Sequence, residues 1–333
     1  MSEPLRLVVV GVGRMGRIHA VQMAGLDGIE LVGISDANPD AAGSLASELG
    51  VELIDPAVLP DRDDVEAWVI ATPTTTHGAV VSTALAAGVH VLCEKPLTLH
   101  PAEDAELAAA ARRAGRVLQI GFWRRFSPPW SAAKALIDSG GIGRPLYLRL
   151  SQWDADPPPP EFCRPEASGG LAIDCGVHEF DLAEWLTGST VERVEGHDLL
   201  IVDEAVGGVG DVDNLMAVLH LSDGAAATVD LSRNSRYGDD VRTEILGDSG
   251  ALFVDTLPRA RASLATRDGF EALPGSQVDD AMVAGLIAQA EVFHRLVRGE
   301  QLDHPDADAS RRAVEIGRAV QASAASGKPV AVP

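Results

Sequence analysis

The sequence predicts an α/β protein in which an N-terminal doubly wound parallel sheet is followed by an α+β domain with a large, mostly antiparallel open sheet. The length of 333 residues suggests two domains. In the first third of the chain, short β-branched runs alternate with Ala-rich amphipathic stretches, which is typical of βαβ units. From residue 191 to about residue 265, strand-like runs are separated by Gly, Asp and Ser, which indicates antiparallel pairing.

The first domain is expected to contain strands at residues 5–10, 30–35, 67–71, 90–93 and 117–120. Helices between these apolar runs are expected to begin near Met15, Pro39, Thr76 and Pro101. The last of them has proline at its first helical position and Gly115 as its stop signal.

The pattern changes after Phe122. A helix near residues 130–139 and a strand at 145–152 precede the prolines 157–160, which cannot continue a ladder. A further helix is expected from about Leu171, strands at 215–221, 226–231, 241–246 and 251–254, and closing helices at 279–298 and 307–325. This succession predicts a separate α+β domain.

Composition and charge exclude several classes of function. The 49 acidic residues outnumber the 27 basic ones, and the net charge of -22 repels phosphate backbones and anionic lipid headgroups. We therefore expect no nucleic-acid or membrane partner. The 3 cysteines lack metal-type spacing, and the chain shows neither a secretory leader nor an apolar span, so a reduced cytoplasmic protein without a bound metal is expected.

A glycine-rich segment follows the first strand and opens the first helix: Gly11-Val12-Gly13-Arg14-Met15-Gly16. This is the G-x-G-x-x-G pattern of Rossmann dinucleotide-binding domains, whose glycines allow a tight turn, close approach to a pyrophosphate and close helix packing. Asp36 lies 20 residues after Gly16, at the end of the second strand, and strengthens the assignment. A structural glycine turn with a solvated Asp36 is the alternative.

Asp36 favours NAD over NADP, because its carboxylate would accept hydrogen bonds from ribose hydroxyls and repel a 2′-phosphate. No arginine follows it in residues 37–40. Thr72, Pro73 and His77 follow the strand at 67–71, at the edge where ligands bind in open α/β sheets, and are candidate cofactor contacts. Helix-capping threonines and a surface His77 are an equally good interpretation.

Lys95 is one of only 3 lysines in the chain and lies in the segment Glu94-Lys95-Pro96, directly after the strand at 90–93. At this edge of the sheet it could donate a charged hydrogen bond to a substrate oxygen that gains alkoxide character. A surface ion pair between Glu94 and Lys95 is the alternative.

Asp174 and His178 are four residues apart, which places them on one face of a predicted helix. Histidine suits proton transfer near neutral pH, and a neighbouring carboxylate can orient it. The same pair could simply stabilise the helix, or it could bind a metal together with Cys175.

These three motifs together resemble the glucose-fructose oxidoreductase, inositol dehydrogenase and MocA-type (Gfo/Idh/MocA) family of nicotinamide oxidoreductases. They occur in the order and spacing of that family over essentially the whole chain. The resemblance implies a Rossmann domain at 1–122, a substrate-binding and oligomerisation domain at 123–306 whose open sheet forms dimers or tetramers, and a C-terminal helix at 307–333 that returns to the first domain.

The resemblance further implies that Lys95, Asp174 and His178 are the catalytic group. Lys95 would hold the reacting oxygen, His178 would take its proton, and Asp174 would position its neighbours. Glu94 and Lys95 would also contact the cofactor. The reaction implied is hydride transfer from a secondary alcohol to NAD.

Two segments, 121–126 and 236–248, resemble inositol 2-dehydrogenases in particular, which makes Arg125 and Tyr237 candidate hydroxyl-binding residues. A salt-bridging arginine and a packed tyrosine are the alternatives. The segment 151–156, which contains the further substrate candidate Trp153, departs from the His-Arg-Asn pattern of those enzymes. We therefore expect a cyclic polyol of the myo-inositol or scyllo-inositol type, with a pyranose sugar as the alternative substrate and a non-catalytic dinucleotide sensor as the alternative function.

Overall fold

The computed structural model describes residues 3–257 and 261–333. The chain forms two compact units: the first contains residues 1–123 and 286–311, and the second contains 124–285 and 312–333. Within the described residues, no helix is both long enough and apolar enough to cross a membrane.

The first unit is built around a parallel sheet with the strand order β3-β2-β1-β4-β5-β6. Its strands are β1 (Leu5–Val10), β2 (Ile29–Ser35), β3 (Glu52–Leu53), β4 (Ala67–Ile70), β5 (His90–Cys93) and β6 (Leu118–Ile120). Its helices are α1 (Arg14–Met23), α2 (Pro39–Leu49), α3 (Thr74–Ala86) and α4 (Pro101–Ala114), with short 3-10 turns at Leu59–Asp61 and Trp123–Arg125. This order confirms the doubly wound Rossmann prediction.

Local sequence explains these elements. The first strand reads as a nearly continuous apolar run because helices cover both faces of a parallel sheet. Asn38 caps α2 by accepting hydrogen bonds from the backbone of Asp40 and Ala41. Gly115 ends α4 in the left-handed conformation, as the sequence predicts. The core of this unit includes Val9, Ile34, Val69 and Leu92 of the sheet, and Phe293 from a late helix packs against it.

The second unit contains a mixed sheet in the order β14-β13-β12-β11-β7-β10-β9-β8-β15. Its strands are β7 (Pro145–Trp153), β8 (Val191–Leu199), β9 (Asn214–Leu221), β10 (Ala226–Ser232), β11 (Asp240–Gly247), β12 (Ala251–Asp255), β13 (Arg261–Thr266), β14 (Gly269–Ala272) and β15 (Val330–Ala331). Of the described strand pairs in this second sheet, only β7 and β10 run parallel. The predicted open, mostly antiparallel sheet is therefore confirmed.

Short helices precede the longer ones in the rest of the chain. These elements are α5 (Pro128–Asp138), α6 (Pro160–Cys163), α7 (Pro165–Ser168), α8 (Leu171–Asp174), α9 (Gly176–Thr187), α10 (Glu204–Gly208), α11 (Ala281–Val297) and α12 (Ala307–Ser326). Along β9, β10 and β12 buried and more exposed residues alternate, so one face of this sheet is covered and the other is open.

The division of the chain differs from the expected boundaries at 122 and 306. Residues 286–311, which include most of α11, belong to the first unit, whereas the last helix belongs to the second unit from Arg312 onward. The reason is packing: Phe293 of α11 is fully buried in the first core, while Arg312 pairs with Glu184 of α9 and the Ser323 hydroxyl oxygen accepts the backbone N–H of Gly196 on β8. The amphipathic patterns of both helices reveal an apolar face but not which core receives it.

Candidate active site

The glycine loop, residues 11–16, joins β1 to α1, and its three glycines differ in their surroundings. Gly11 adopts φ +93, and a Cβ there would lie 2.6 Å from the carbonyl oxygen of Ala71. A Cβ on Gly16 would lie 1.9 Å from the carbonyl oxygen of Gly11, so only glycine lets helix and loop pack this closely. At Gly13, by contrast, no described heavy atom lies within 4 Å of a built Cβ.

This loop fits the pyrophosphate of a dinucleotide. Gly13 leaves open space in front of the helix, and among the described residues no side chain caps α1. The first turn of α1 contains no acidic residue. Its backbone N–H groups and the positive end of its dipole are therefore available to an anion, with Arg14 exposed and Met15 half-buried beside them.

Asp36 stands directly after β2 and contacts the glycine loop. One carboxylate oxygen, Oδ2, accepts the backbone N–H of Val12 at 2.8 Å, and Oδ1 accepts that of Asn38 at 2.7 Å. Each oxygen keeps a lone pair for a further donor such as a ribose hydroxyl. Asp36 is therefore not freely solvated, and its ribose-binding role stays a prediction.

The turn after β4 places Thr72 and Pro73 immediately before α3. The hydroxyl of Thr76 donates to the hydroxyl of Thr72 at 2.8 Å and to the carbonyl oxygen of Pro73 at 2.7 Å. His77 is not the surface residue that the alternative interpretation assumes, because only 1% of it is exposed. Its two ring nitrogens each lie 2.9 Å from a backbone carbonyl oxygen, that of Thr72 and that of Pro96, so His77 does not offer a polar atom for direct cofactor contact.

The Glu94-Lys95-Pro96 loop follows β5, and the Lys95-Pro96 peptide bond is cis. Lys95 is half-buried at this carboxyl edge. Glu94 is not a surface group, since its side chain is 8% exposed and lies 2.6 Å from Nε2 of His19. Burial alone would raise the pKa of Glu94, but the His19 hydrogen bond and neighbouring positive charge outweigh it and lower that pKa. A solvated ion pair with Lys95 is therefore the wrong description of Glu94.

In the second unit, the glycines before α8 allow an unusual helix start. Gly169 and Gly170 have φ +84 and +76, and a Cβ on Gly170 would lie 2.7 Å from Oδ1 of Asp211. The Asp211 carboxylate accepts the backbone N–H of Leu171 at 3.0 and 3.1 Å. A residue distant in sequence thus acts as the N-terminal cap of α8.

Asp174 ends this short helix and forms an ion pair with a buried arginine. Arg233, 1% exposed, lies 2.9 Å from Oδ2 of Asp174 and 3.4 Å from Oδ2 of Asp211. One guanidinium therefore connects the two ends of α8 and holds the Asp174 carboxylate in place.

Asp174 and His178 do not share one continuous helix as predicted. The helix breaks at Cys175, so Asp174 is the last residue of α8 and His178 lies in the first turn of α9. The backbone N–H of His178 donates to the carbonyl oxygen of Cys175 rather than to that of Asp174. The Cys175 thiol lies 3.2 Å from Oδ2 of Asp154 and 3.7 Å from Oδ2 of Asp174.

The predicted catalytic residues divide between the two units. Lys95 belongs to the first unit, and Asp174 and His178 belong to the second. Among the described residues, no group of three or more His, Cys, Asp or Glu side chains is arranged to hold a metal ion.

Arg125 is a correction to the predicted substrate residues. Its guanidinium forms a bidentate pair with the buried carboxylate of Asp181 on α9, through Nε at 2.9 Å and through Nη2. It also lies 5.7 Å from the ring centroid of Trp185. Burial raises the pKa of Asp181 and the arginine opposes this shift. The ion-pair alternative describes Arg125 better than a hydroxyl-binding role.

Trp153 is a second correction. Side chains alternate along β7, and its neighbour Gln152 accepts a hydrogen bond at 2.7 Å from Arg124, which pairs with Glu179 of α9. Trp153 therefore points to the opposite, open face of the sheet, where Nε1 donates to Asp230 at 2.5 Å. This face is not the one that carries α9.

Tyr237 lies in the loop between β10 and β11 and is 61% exposed. Its hydroxyl donates to Oδ2 of Asp240 at 2.7 Å, and this hydrogen bond to a carboxylate raises the pKa of Tyr237. Asp240 also accepts two hydrogen bonds from Arg242. Tyr237 is therefore not the packed aromatic of the alternative interpretation. Among the described hydrogen bonds, none joins Tyr237 to Asp174.

Sequence reasoning missed His19, Arg233 and Asp154. His19 had a visible signal, because it is a histidine on the apolar face of α1 beside Ala20 and Met23. Arg233 and Asp154 had none, since their partners Asp174 and Cys175 are brought to them only by the tertiary fold.

Comparisons with known proteins identify the family of both domains. Residues 5–122 match the family described as an oxidoreductase family with an NAD-binding Rossmann fold, and residues 130–253 match the GFO/IDH/MocA C-terminal domain. The chain is 34% identical to scyllo-inositol 2-dehydrogenase (NAD(+)) of Bacillus subtilis, over 99% of this chain and 97% of that one. It is 36% identical to myo-inositol 2-dehydrogenase of Thermotoga maritima, over 80% of this chain and 79% of that one.

A solved structure of a similar enzyme has the same fold over nearly the whole chain. The scyllo-inositol dehydrogenase of Lactobacillus casei, crystallised with NAD(H) and scyllo-inositol, superimposes with a TM-score of 0.86 and 26% identity, and the match covers 99% of both chains. Both domains of the chain thus match one group of oxidoreductases. The chain belongs to the Gfo/Idh/MocA family of oxidoreductases with an NAD-binding Rossmann fold.

Proposed function

We propose that this protein is an NAD-dependent dehydrogenase that oxidises a secondary alcohol of a cyclic polyol, of the myo-inositol or scyllo-inositol type, to the ketone. The observation that carries the proposal is the similarity over nearly the whole chain to a scyllo-inositol 2-dehydrogenase, combined with a lysine at the carboxyl edge of the Rossmann sheet. The bound nicotinamide supplies the redox chemistry by accepting a hydride from the carbinol carbon.

The protein's own residues bind the substrate and manage its proton. The Lys95 ammonium donates a hydrogen bond to the reacting hydroxyl oxygen and stabilises the negative charge that develops there. His178 accepts the hydroxyl proton as the carbon loses its hydride, which leaves a neutral ketone. Asp174, held by Arg233 at 2.9 Å, orients its neighbours and accepts a hydrogen bond from a substrate hydroxyl.

The residues of the glycine loop and of the turn after β4 are proposed to hold the cofactor. Gly11, Gly13 and Gly16 shape the pyrophosphate site, and Arg14 and Met15 border it. Thr72, Pro73 and Glu94 complete the edge of the site. Asp36 is proposed to select NAD over NADP, because a carboxylate beside the ribose repels a 2′-phosphate.

Two finer proposals concern the substrate and the assembly. Asp154, within the segment that departs from inositol dehydrogenases, accepts hydrogen bonds from Gln152 at 3.0 and 3.2 Å and lies near Asp174 through Cys175. The Asp154 carboxylate can accept hydrogen bonds from substrate hydroxyl groups. Inositols and pyranoses both carry such groups, so a pyranose remains the second candidate substrate. We also propose a homo-oligomer, because the open face of the sheet exposes two large apolar side chains, Met216 (54%) and Leu246 (51%).

The test of this function is NADH formation with a panel of inositols and pyranoses, run in parallel with NAD and NADP. The panel is measured on the native protein, on Lys95→Met and on the matched control Lys328→Met. Turnover of an inositol with NAD that is lost in Lys95→Met and retained in Lys328→Met supports the proposal.

Other outcomes separate its parts. If only sugars react, the mechanism stands and the inositol assignment fails. Unchanged turnover in Lys95→Met contradicts the catalytic assignment. Tight NAD binding without turnover of any member of the panel favours the dinucleotide sensor.

A further inference from the structure

Two buried histidines hold the residues on either side of Lys95. His19, on α1 directly after the glycine loop, places Nε2 2.6 Å from Oε1 of Glu94. His77, on α3, places Nδ1 2.9 Å from the carbonyl oxygen of Pro96. Only 2% of His19 and 1% of His77 are exposed. The segment Glu94-Lys95-Pro96, here called the lysine loop, is therefore hydrogen-bonded to two different helices of the first unit.

The contact between His19 and Glu94 favours the ionised carboxylate. Burial alone raises the pKa of Glu94, but the hydrogen bond from His19 and nearby positive charge outweigh burial and lower this pKa. A Cβ on Gly121 would lie 3.1 Å from Cα, Cδ and Oε1 of Glu94, so glycine at that position leaves room for the carboxyl group. Oε2 of the same carboxylate accepts the backbone N–H of Lys95 at 3.3 Å. This carboxylate thus links the His19 imidazole to the backbone N–H of Lys95.

The contact made by His77 bridges two loops. Its Nε2 lies 2.9 Å from the carbonyl oxygen of Thr72, while Nδ1 faces Pro96. Burial lowers the pKa of His77, so the ring is neutral near pH 7 and donates to one of the two carbonyls at a time. In either tautomer the imidazole fills the space between the turn after β4 and the lysine loop.

Both helices begin at loops that are proposed to hold the cofactor. Helix α1 starts from the glycine loop at Arg14, and α3 starts from the Thr72-Pro73 turn. Any movement of Lys95 relative to these loops must therefore disrupt a buried imidazole contact. Such fixed geometry is what a group that must meet a reacting oxygen requires.

We propose that His19 and His77 are positioning residues that hold Lys95 in register with the two cofactor loops, an inference that rests on the proposed function of Lys95. Without the His19 imidazole, the Glu94 carboxylate is left in a buried site with no equivalent donor, so it takes up a proton or moves towards water. Either change releases the backbone N–H of Lys95.

The kinetic test uses His19→Ala and His77→Ala, with matched controls one helical turn later. Met23 on α1 and Val81 on α3 are equally buried, so Met23→Ala and Val81→Ala remove core packing from the same helices without touching the lysine loop. We expect kcat to fall about tenfold or more in the histidine variants, with KM and the Kd for NAD within about threefold. The controls should keep kcat.

Rescue by conservative variants separates positioning from folding. A glutamine at residue 19 can donate from its amide nitrogen where Nε2 stood, and an asparagine at residue 77 can donate where Nδ1 stood. His19→Gln and His77→Asn should therefore recover most of the kcat lost in the alanine variants.

A second readout needs neither cofactor nor turnover. The chain has only 3 lysines, so trace acetylation followed by peptide mass spectrometry reports Lys95 against Lys134 and Lys328 in the same sample. In cofactor-free His19→Ala and His77→Ala, a released loop should make Lys95 react at least about threefold faster relative to the other two lysines.

The inference is overturned if Lys95 labelling is unchanged in both variants, or if their kcat falls no further than in the packing controls. A parallel assay of Lys95→Met shows whether the proposed role of Lys95 or only the positioning role of the histidines has failed. Full turnover in Lys95→Met refutes the proposed role of the lysine. An inactive Lys95→Met with normal histidine variants refutes only the positioning role.

Discussion

Asp104 provides a prediction whose size follows from the structure. It lies fully buried on α4, and Oδ1 accepts the hydroxyl of Thr98 at 2.7 Å. Thr98 belongs to the segment that follows the lysine loop, where the backbone N–H of Leu97 donates to Ser310. Burial raises the pKa of Asp104 from 3.8 to about 7.

Because the pKa is higher in the folded state, Asp104 stabilises the protein fully at pH values below about 4, and this contribution is lost as the pH rises through 7. A difference of about 3 pKa units corresponds to about 4 kcal/mol in total. Between pH 5 and pH 9 the loss is about 3 kcal/mol. For a unit of about 150 residues this corresponds to a change of roughly 6–12 °C in Tm.

The assay is the Tm of native protein, Asp104→Asn and Glu106→Gln by calorimetry from pH 5 to pH 9. The asparagine keeps an oxygen for Thr98 but cannot ionise, so its Tm relative to native protein should rise by about 6–12 °C across this range. Glu106→Gln, an exposed carboxylate on the same helix, should show no such trend. A constant difference between Asp104→Asn and native protein would refute the buried-carboxyl argument.

Three further substitutions test the glycine loop, Asp36 and the ion pair of Asp174. Gly16→Ala should weaken NAD binding at least about tenfold by calorimetric titration, because the new Cβ would lie 1.9 Å from the Gly11 carbonyl oxygen; unchanged affinity would contradict the close-packing argument. Asp36→Ala should lower the ratio of kcat/KM for NAD over NADP about tenfold or more, and a preserved ratio would remove Asp36 from cofactor selection. Arg233→Leu should cost about 3–5 kcal/mol in denaturant unfolding, because it leaves Asp174 without its buried partner; a cost below about 1 kcal/mol would contradict that pairing.

Local features of the sequence were sufficient to predict most of the strands and helices. The strands at 5–10 and 90–93 were predicted to the residue, and α2, α4 and α12 begin where the sequence places them. These elements have strong signals of their own, such as Pro39, Pro101 and the glycine loop. The need for glycine at positions 11 and 16 could also be predicted, because a positive φ at Gly11 and the contact of Gly16 with the Gly11 carbonyl are local features of the turn. The contact of Gly11 with Ala71 depends on the fold.

Other features depend on contacts that the sequence does not contain. Trp153 and Gln152 are neighbours on one strand, and only the register of β7 decides which of them faces α9. Arg125 and Arg233 look like surface arginines until the fold brings Asp181 and Asp174 to them. The predicted helix is interrupted at Cys175, directly before Gly176. A single glycine lowers helix propensity but does not by itself predict a break.

Direct detection of hydride transfer tests the proposed dehydrogenase activity. The protein is incubated with NAD and scyllo-inositol or myo-inositol that carries deuterium at every ring carbon, and the reduced cofactor is analysed by mass spectrometry. We expect NADH heavier by one deuterium, formed together with the ketone of the inositol and absent from the Lys95→Met reaction. NADH without deuterium, or ketone formation that persists in Lys95→Met, would contradict it.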